Sequence, residues 1–153
     1  MDERETDAQI LEALAAVTAE QRRDLERTRD ELAPRGASFG EWKGGQRMAS
    51  GAIQMPYTSL GPELSRAVDA LAEAGLLVPF AWTTWEKGRR YLQDPTTWPE
   101  MTPVDGVKTL VTAVRANRFS EGVLLEAADD GVLHRALEAV IEGCSGRSGP
   151  GPT

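Results

Sequence analysis

The chain has one cysteine, Cys144, and one histidine, His134. A single thiol makes no intrachain disulfide, and no C-x-x-C or His/Cys pairing offers the ligands of a zinc site. No metal and no cofactor are expected. No Ser, Cys or Asp stands at local spacing from His134 to suggest a triad, so His134 is expected on a helix flank and Cys144 is given no role. Long apolar runs are missing too. The longest, residues 76–82, is interrupted by Pro79, whereas a membrane-spanning helix needs about 20 apolar residues. The first residues are mostly charged and acidic, so no secretory leader is expected, and a reducing cytoplasm is the expected compartment. Basic residues are in deficit: 17 Lys and Arg stand against 24 Asp and Glu, a net charge of −7. That charge repels phosphate backbones and anionic membranes, which disfavours nucleic-acid binding. Neither G-x-x-x-x-G-K-[ST] nor G-x-G-x-x-G is present, so Gly44-Gly45 is expected to be a turn and not a phosphate loop.

What is present fits a small helical domain. The 153 residues are 41% hydrophobic, enough for one core. Nine aromatic residues are few, and all lie at or after Phe39. Residues 1–36 hold ten acids and six bases, so −4 of the −7 sits in the first quarter. Residues 107–142 organise the rest: apolar positions recur at helical spacing through three segments, with a charged elbow at 115–121 between the first two.

Taken in order, residues 6–33 read as one long helix opened by a Thr6/Gln9 capping box. Ile10, Leu11, Leu14 and Val17 form a stripe that thins toward Leu25 and Leu32, leaving a charged face. Pro34 and Gly36 stop it. The segment either lies on the domain or joins two copies of the chain; its polar seam positions would make a weak coiled coil. Glycines at 40, 44, 45 and 51 weigh against a helix next. Residues 39–43 and 52–57 read as two short strands, with Trp42, Ile53, Met55 and Tyr57 on one face and Pro56 at an edge. Helices follow at 62–74, 84–93, 102–114, 121–130 and 132–142, bounded by Pro, Gly and Asp-Pro signals. The fold class is α+β and helix-dominated: about five helices, a small antiparallel hairpin, and a long amino-terminal helix. The expected units are a charged helical extension at 1–36, one domain at 37–142, and a disordered Gly/Ser/Pro tail at 143–153.

Arg115 and Arg118 are three apart and neighbour one another on a helix, and Glu121 follows at the same interval. Either the two arginines clamp a carboxylate or phosphate, or one of them pairs with Glu121 and fixes the elbow. Phe119 between them is expected in the core. Trp42, Tyr57, Trp82 and Trp85 are the aromatic binding candidates, against the reading that they pack with their polar edge at the surface. Asp129-Asp130 lacks calcium-loop spacing and is expected to be solvated charge.

Several blocks carry a family resemblance: F-G-x-W-x-G-G at 39–45, G-x-I-Q-M-P-Y at 51–57, V-P-F-x-W at 78–82, R-Y-L-x-D-P at 90–95, and L-x-T-x-x-R-x-x-R-F-x-E-G at 110–122. Together they resemble an uncharacterised family of small bacterial domains, over residues 39–142. That family often has Asp before the Arg of R-F and His after the Gly of E-G; Asn117 and Val123 stand there in this chain. The resemblance implies no mechanism. The expected function is therefore that of a cytoplasmic bacterial interaction module without catalysis, with a partner protein or a small anionic ligand as its occupant. The alternatives are an enzyme using Arg115, Arg118 and Glu121 on an anionic substrate, and a nucleic-acid accessory protein.

Overall fold

A computed structural model describes residues 2–144. The amino-terminal segment is two helices, not one. Asp2 caps α1 (Glu3–Ala16), its Oδ1 accepting from the Glu5 N–H at 2.8 Å. Val17 then leaves the helical region (φ −63°, ψ 125°). Thr18 opens α2 (Ala19–Glu31) with a reciprocal capping box: Thr18 Oγ1 accepts from Gln21 N–H at 3.1 Å, and Gln21 Oε1 accepts from Thr18 N–H at 3.0 Å. The box sits at 18/21, while Thr6 is buried inside α1. Two orphan donors satisfied at one residue outweigh helix continuity there.

The five helices expected after residue 61 form as α3 (Pro62–Glu73), α4 (Glu86–Gln93), α5 (Pro103–Ala116), α6 (Val123–Asp129) and α7 (Val132–Gly143), with short 3₁₀ turns at Trp82–Thr84 and Pro95–Glu100. Helix α5 is the central one: residues 105–113 are all buried, so no face of its middle reaches water. It packs closely on α7 through Gly106, where an added Cβ would lie 2.8 Å from the Ala136 carbonyl oxygen and 3.1 Å from Ala139 Cβ. Helix α2 lies on α3 and α7, tied to α3 by Arg66–Glu31 at 2.8 Å and by Gln21 Nε2 donating to the Glu73 carbonyl at 3.1 Å. Most of the stripe considered for self-association is buried in the protein's own core: Ile10, Leu14, Val17, Leu25 and Leu32 share one cluster with Leu64, Leu71 and Leu137, while Leu11 is exposed.

The hairpin is present, with its second strand later than expected. Strand β1 (Gly40–Lys43) pairs antiparallel with β2 (Tyr57–Leu60), Gly40 opposite Leu60 and Lys43 opposite Tyr57. Residues 52–57 were the expected strand, but Pro56 offers no N–H, and Gly44 and Gly45 opposite take φ of 85° and 77°. The ladder therefore skips that level and resumes in the same register at an Arg47–Ile53 bridge. A turn at the tip, Gly51 N–H to the Met48 carbonyl at 2.9 Å, closes the ribbon.

At the carboxyl end, Gly143 is the last residue of α7 and Cys144 is completely buried, not part of a tail. Burial pushes its thiol up to about 11, so it stays protonated near neutrality. The rest of the expected disordered tail lies outside the described residues. Among the described residues no helix is long and apolar enough to cross a membrane.

Candidate functional site

The elbow between α5 and α6 is fixed by Asn117. Its Oδ1 accepts from the backbone N–H groups of Gly122 at 3.1 Å and Leu124 at 3.2 Å, which closes the turn and satisfies orphan donors at the start of α6. The arginines do not do this work. Arg115 is half-buried and Arg118 exposed, and among the described residues neither makes an ion pair. Glu121 instead accepts from Thr58 Oγ1 at 2.8 Å, which ties the elbow to β2. The Asp expected at position 117 from the resemblance could accept the same two N–H groups, so the Asn there preserves a structural device. Asn117→Ala is expected to lower stability by about 1–2 kcal/mol, and Asn117→Asp to change it by less than about 0.5 kcal/mol. Urea denaturation of the two variants checks this.

Phe119 is 81% exposed, not in the core. Helix α5 ends at Ala116, so the periodicity that would have carried Phe119 onto a buried face stops before it. Its ring lies 6.0 Å from that of Trp82.

Trp42 on β1 sets the edge of its ring, at Cζ2, against Gly122. This glycine has φ 98°, a left-handed conformation, and a Cβ there would collide with the Trp42 ring. Trp42 and Glu121 are thereby brought together on the wall of a groove of about 490 Å³. Glu41, Glu126, Asp129 and Asp130 also line it, and no Lys or Arg does. Asp129 is more than solvated charge: it accepts from Ser38 Oγ at 2.6 Å and from the Phe39 N–H at 2.8 Å, anchoring the base of the ribbon to α6.

The remaining candidates are dispersed. Tyr57 opens β2 opposite Lys43 and so lies on the other face of the ribbon from Trp42, which is opposite Thr58, not on the shared face expected. Trp82 pairs with Phe119, and Arg115 and Arg118 line neither groove. Trp85 belongs to a second groove, of about 520 Å³, bounded by α1, α4 and α5. There Lys108, absent from the sequence candidates, has a side chain only 3% exposed, with Nζ 2.6 Å from Asp7 Oδ1 on α1. The rings of Phe80 and Trp85 stand 5.8 and 5.6 Å from the ammonium. A legible signal existed: Lys108 falls at helical spacing between Val104 and Val111, with Asp105 and Thr112 as its polar neighbours on that face. Nearby, the Tyr91 hydroxyl donates to buried Asp105 at 2.7 Å. Burial first, then that hydrogen bond to a carboxylate, raises the Tyr91 pKa well above the usual phenol value. His134 sits on the flank of α7, its Nδ1 2.9 Å from the Arg29 carbonyl oxygen. Among the described residues no group of three or more His, Cys, Asp or Glu is arranged to hold a metal ion.

Fold and site together define a small helix-dominated α+β domain with an antiparallel ribbon over an acidic groove. The chain belongs to a family of unknown function (DUF6508), which matches residues 17–143. The match takes in α2, which the motif resemblance at 39–142 did not reach, and leaves α1 outside. No curated protein and no solved structure matches the chain.

Proposed function

We propose that the domain is a non-catalytic interaction module of the bacterial cytoplasm, that it binds through its ribbon, and that the partner is a second copy of the chain. One observation carries this reading. Trp42, Met48, Ile53, Met55 and Tyr57 are 41–79% exposed and all lie on the ribbon, while the adjoining elbow exposes Phe119. Exposed apolar side chains concentrated on one element in this way mark contact surfaces, although Trp42, opposite Thr58, and Tyr57, opposite Lys43, stand on opposite faces of the ribbon. A ribbon of two strands is marginal on its own and leaves both outer edges unpaired. Charge favours self-pairing: residues 43–57 carry Arg47, and Lys43 paired with Glu41 of its own strand at 3.4 Å, and no acid, whereas the groove beside them is lined by five carboxylates. In a two-fold pair each basic tip meets the other copy's acidic groove. The cytoplasmic setting is supported by the lone, buried cysteine and the bacterial one by the motif resemblance.

The enzyme reading is weaker. Glu121 lines a concave surface without an ion pair, but a groove without a cation meets an anionic substrate with like charge only. The same field opposes nucleic acid.

Sedimentation velocity tests the proposal. The wild-type mass is expected to double as concentration rises, and the pair to weaken with added salt as the charge contacts are screened. Ile53→Ser with Met55→Ser is expected to stay monomeric with an unchanged melting temperature, because these side chains are exposed in the single copy. A wild type that stays monomeric at millimolar concentration, or a double variant that still pairs, would refute it.

A further inference from the structure

We propose that the groove between α1, α4 and α5 binds a small organic carboxylate with a flat apolar body, and that Asp7 holds the ligand's anchoring place in the free protein. The argument is independent of the ribbon. An ammonium as enclosed as that of Lys108 needs an anion, because desolvation of an unpaired charge is heavily penalised. It has three N–H donors. Asp7 Oδ1 stands 2.6 Å away as its ion-pair partner, without hydrogen-bond geometry, and Glu3 stands at 3.9 Å, beyond hydrogen-bond reach. What faces the remainder is aromatic: the Phe80 and Trp85 rings, themselves packed edge to face with centroids 5.8 Å apart. A buried cation beside two aromatic rings, opening on about 520 Å³ of space, matches a carboxylate joined to a planar body. The volume falls within the usual range of small-molecule sites. Lys87 and Arg90 line the same groove and, with Lys108, outnumber its two lining acids, Glu3 and Glu86.

The origin of the present anion points the same way. Lys108, Phe80, Trp85 and Arg90 all lie within the family match at 17–143, whereas Asp7 and Glu3 lie before it. The cation and its aromatic walls thus belong to the family's domain, and the carboxylate that neutralises the cation comes from a helix outside it. Asp7 is an internal competitor: its carboxylate must leave the ammonium for the ligand's carboxylate to take its place, so binding to the free protein is weakened by the fraction of time that Asp7 is bound.

Titration with indole-3-carboxylate, followed by Trp85-dependent fluorescence and by calorimetry, tests this against inorganic phosphate as an anion without a flat body. The wild type is expected to bind indole-3-carboxylate weakly and saturably, and Asp7→Asn to bind it about tenfold more tightly or better, because the competitor is gone. Lys108→Met removes the anchor and is expected to stay folded and lose binding; Asp7→Asn with Lys108→Met removes both charges and is expected to do the same. The proposal is overturned if neither wild type nor Asp7→Asn shows saturable binding. It is overturned also if Asp7→Asn binds no more tightly than wild type, if Lys108→Met binds undiminished, or if phosphate binds as well as indole-3-carboxylate.

Discussion

Gly106→Val is expected to lower stability by about 3 kcal/mol, near the upper end of what overpacking a core produces. Gly106 is buried at the end of the first turn of α5, where that helix packs on α7. A single Cβ would already stand 2.8 Å from the Ala136 carbonyl oxygen and 3.1 Å from Ala139 Cβ and Val140 Cγ2. The closest of these is backbone in the middle of α7, so relief requires moving a helix and not a rotamer. Valine adds two methyl groups to that collision. For a chain of this length the midpoint falls by roughly 2–4 °C per kcal/mol, so thermal unfolding should show a loss of about 6–12 °C. Gly106→Ala separates space from propensity. Alanine gains about 1 kcal/mol as a helix former, so a stabilised alanine variant would mean that α5 and α7 can part without penalty, contrary to this packing.

The second large effect is an asymmetry at the Lys108–Asp7 pair. Asp7→Asn is expected to cost about 2–3 kcal/mol. This is less than the 3–5 kcal/mol of a wholly buried pair, because one partner is partly hydrated. Lys108→Met is expected to cost less than about 1 kcal/mol. The reason is burial. The Lys108 side chain is 3% exposed and that of Asp7 40% exposed. Removing the acid strands an ammonium away from water, whereas removing the lysine leaves a carboxylate that water can reach and puts an apolar side chain among aromatic rings. Chemical denaturation of the two single variants and the double variant would measure both the asymmetry and the coupling. Equal losses, or a larger loss for Lys108→Met, would show that the ammonium is better solvated than its enclosure implies.

Much of the chain could be read in advance because local chemistry fixes it. Pro62 at the start of α3, Gly75 with φ 73° after it, and Thr102 capping α5 through the Asp105 N–H at 3.1 Å all stand where turn and cap rules put them. Even the break between α1 and α2 was written locally, in Thr18 and Gln21, but a similar Thr6/Gln9 spacing competed with it. Only the surroundings decided between them: Ile10 and Leu14 pull α1 onto the core with Thr6 inside.

The elbow was harder, because opposite charges at helical intervals suggest an ion pair only while the helix continues. Once α5 stops at Ala116, the intervals no longer place Arg115, Arg118 and Glu121 on one face. A neutral amide then supplies two hydrogen bonds to a backbone it reaches directly. Phe119 changed from core to surface for the same reason.

The sequence by itself determined the helices after residue 61 and the presence of a ribbon, since caps, glycines, prolines and apolar periodicity act over a few residues; the break at Val17 and the later start of β2 needed the fold. The tertiary structure alone decided which polar groups meet. Asp7 reaches Lys108, Glu121 reaches Thr58, and Asp129 holds the base of the ribbon, each from a distant part of the chain. Those meetings follow from how α1, the ribbon and the late helices close around α5, and no periodicity along the chain encodes them.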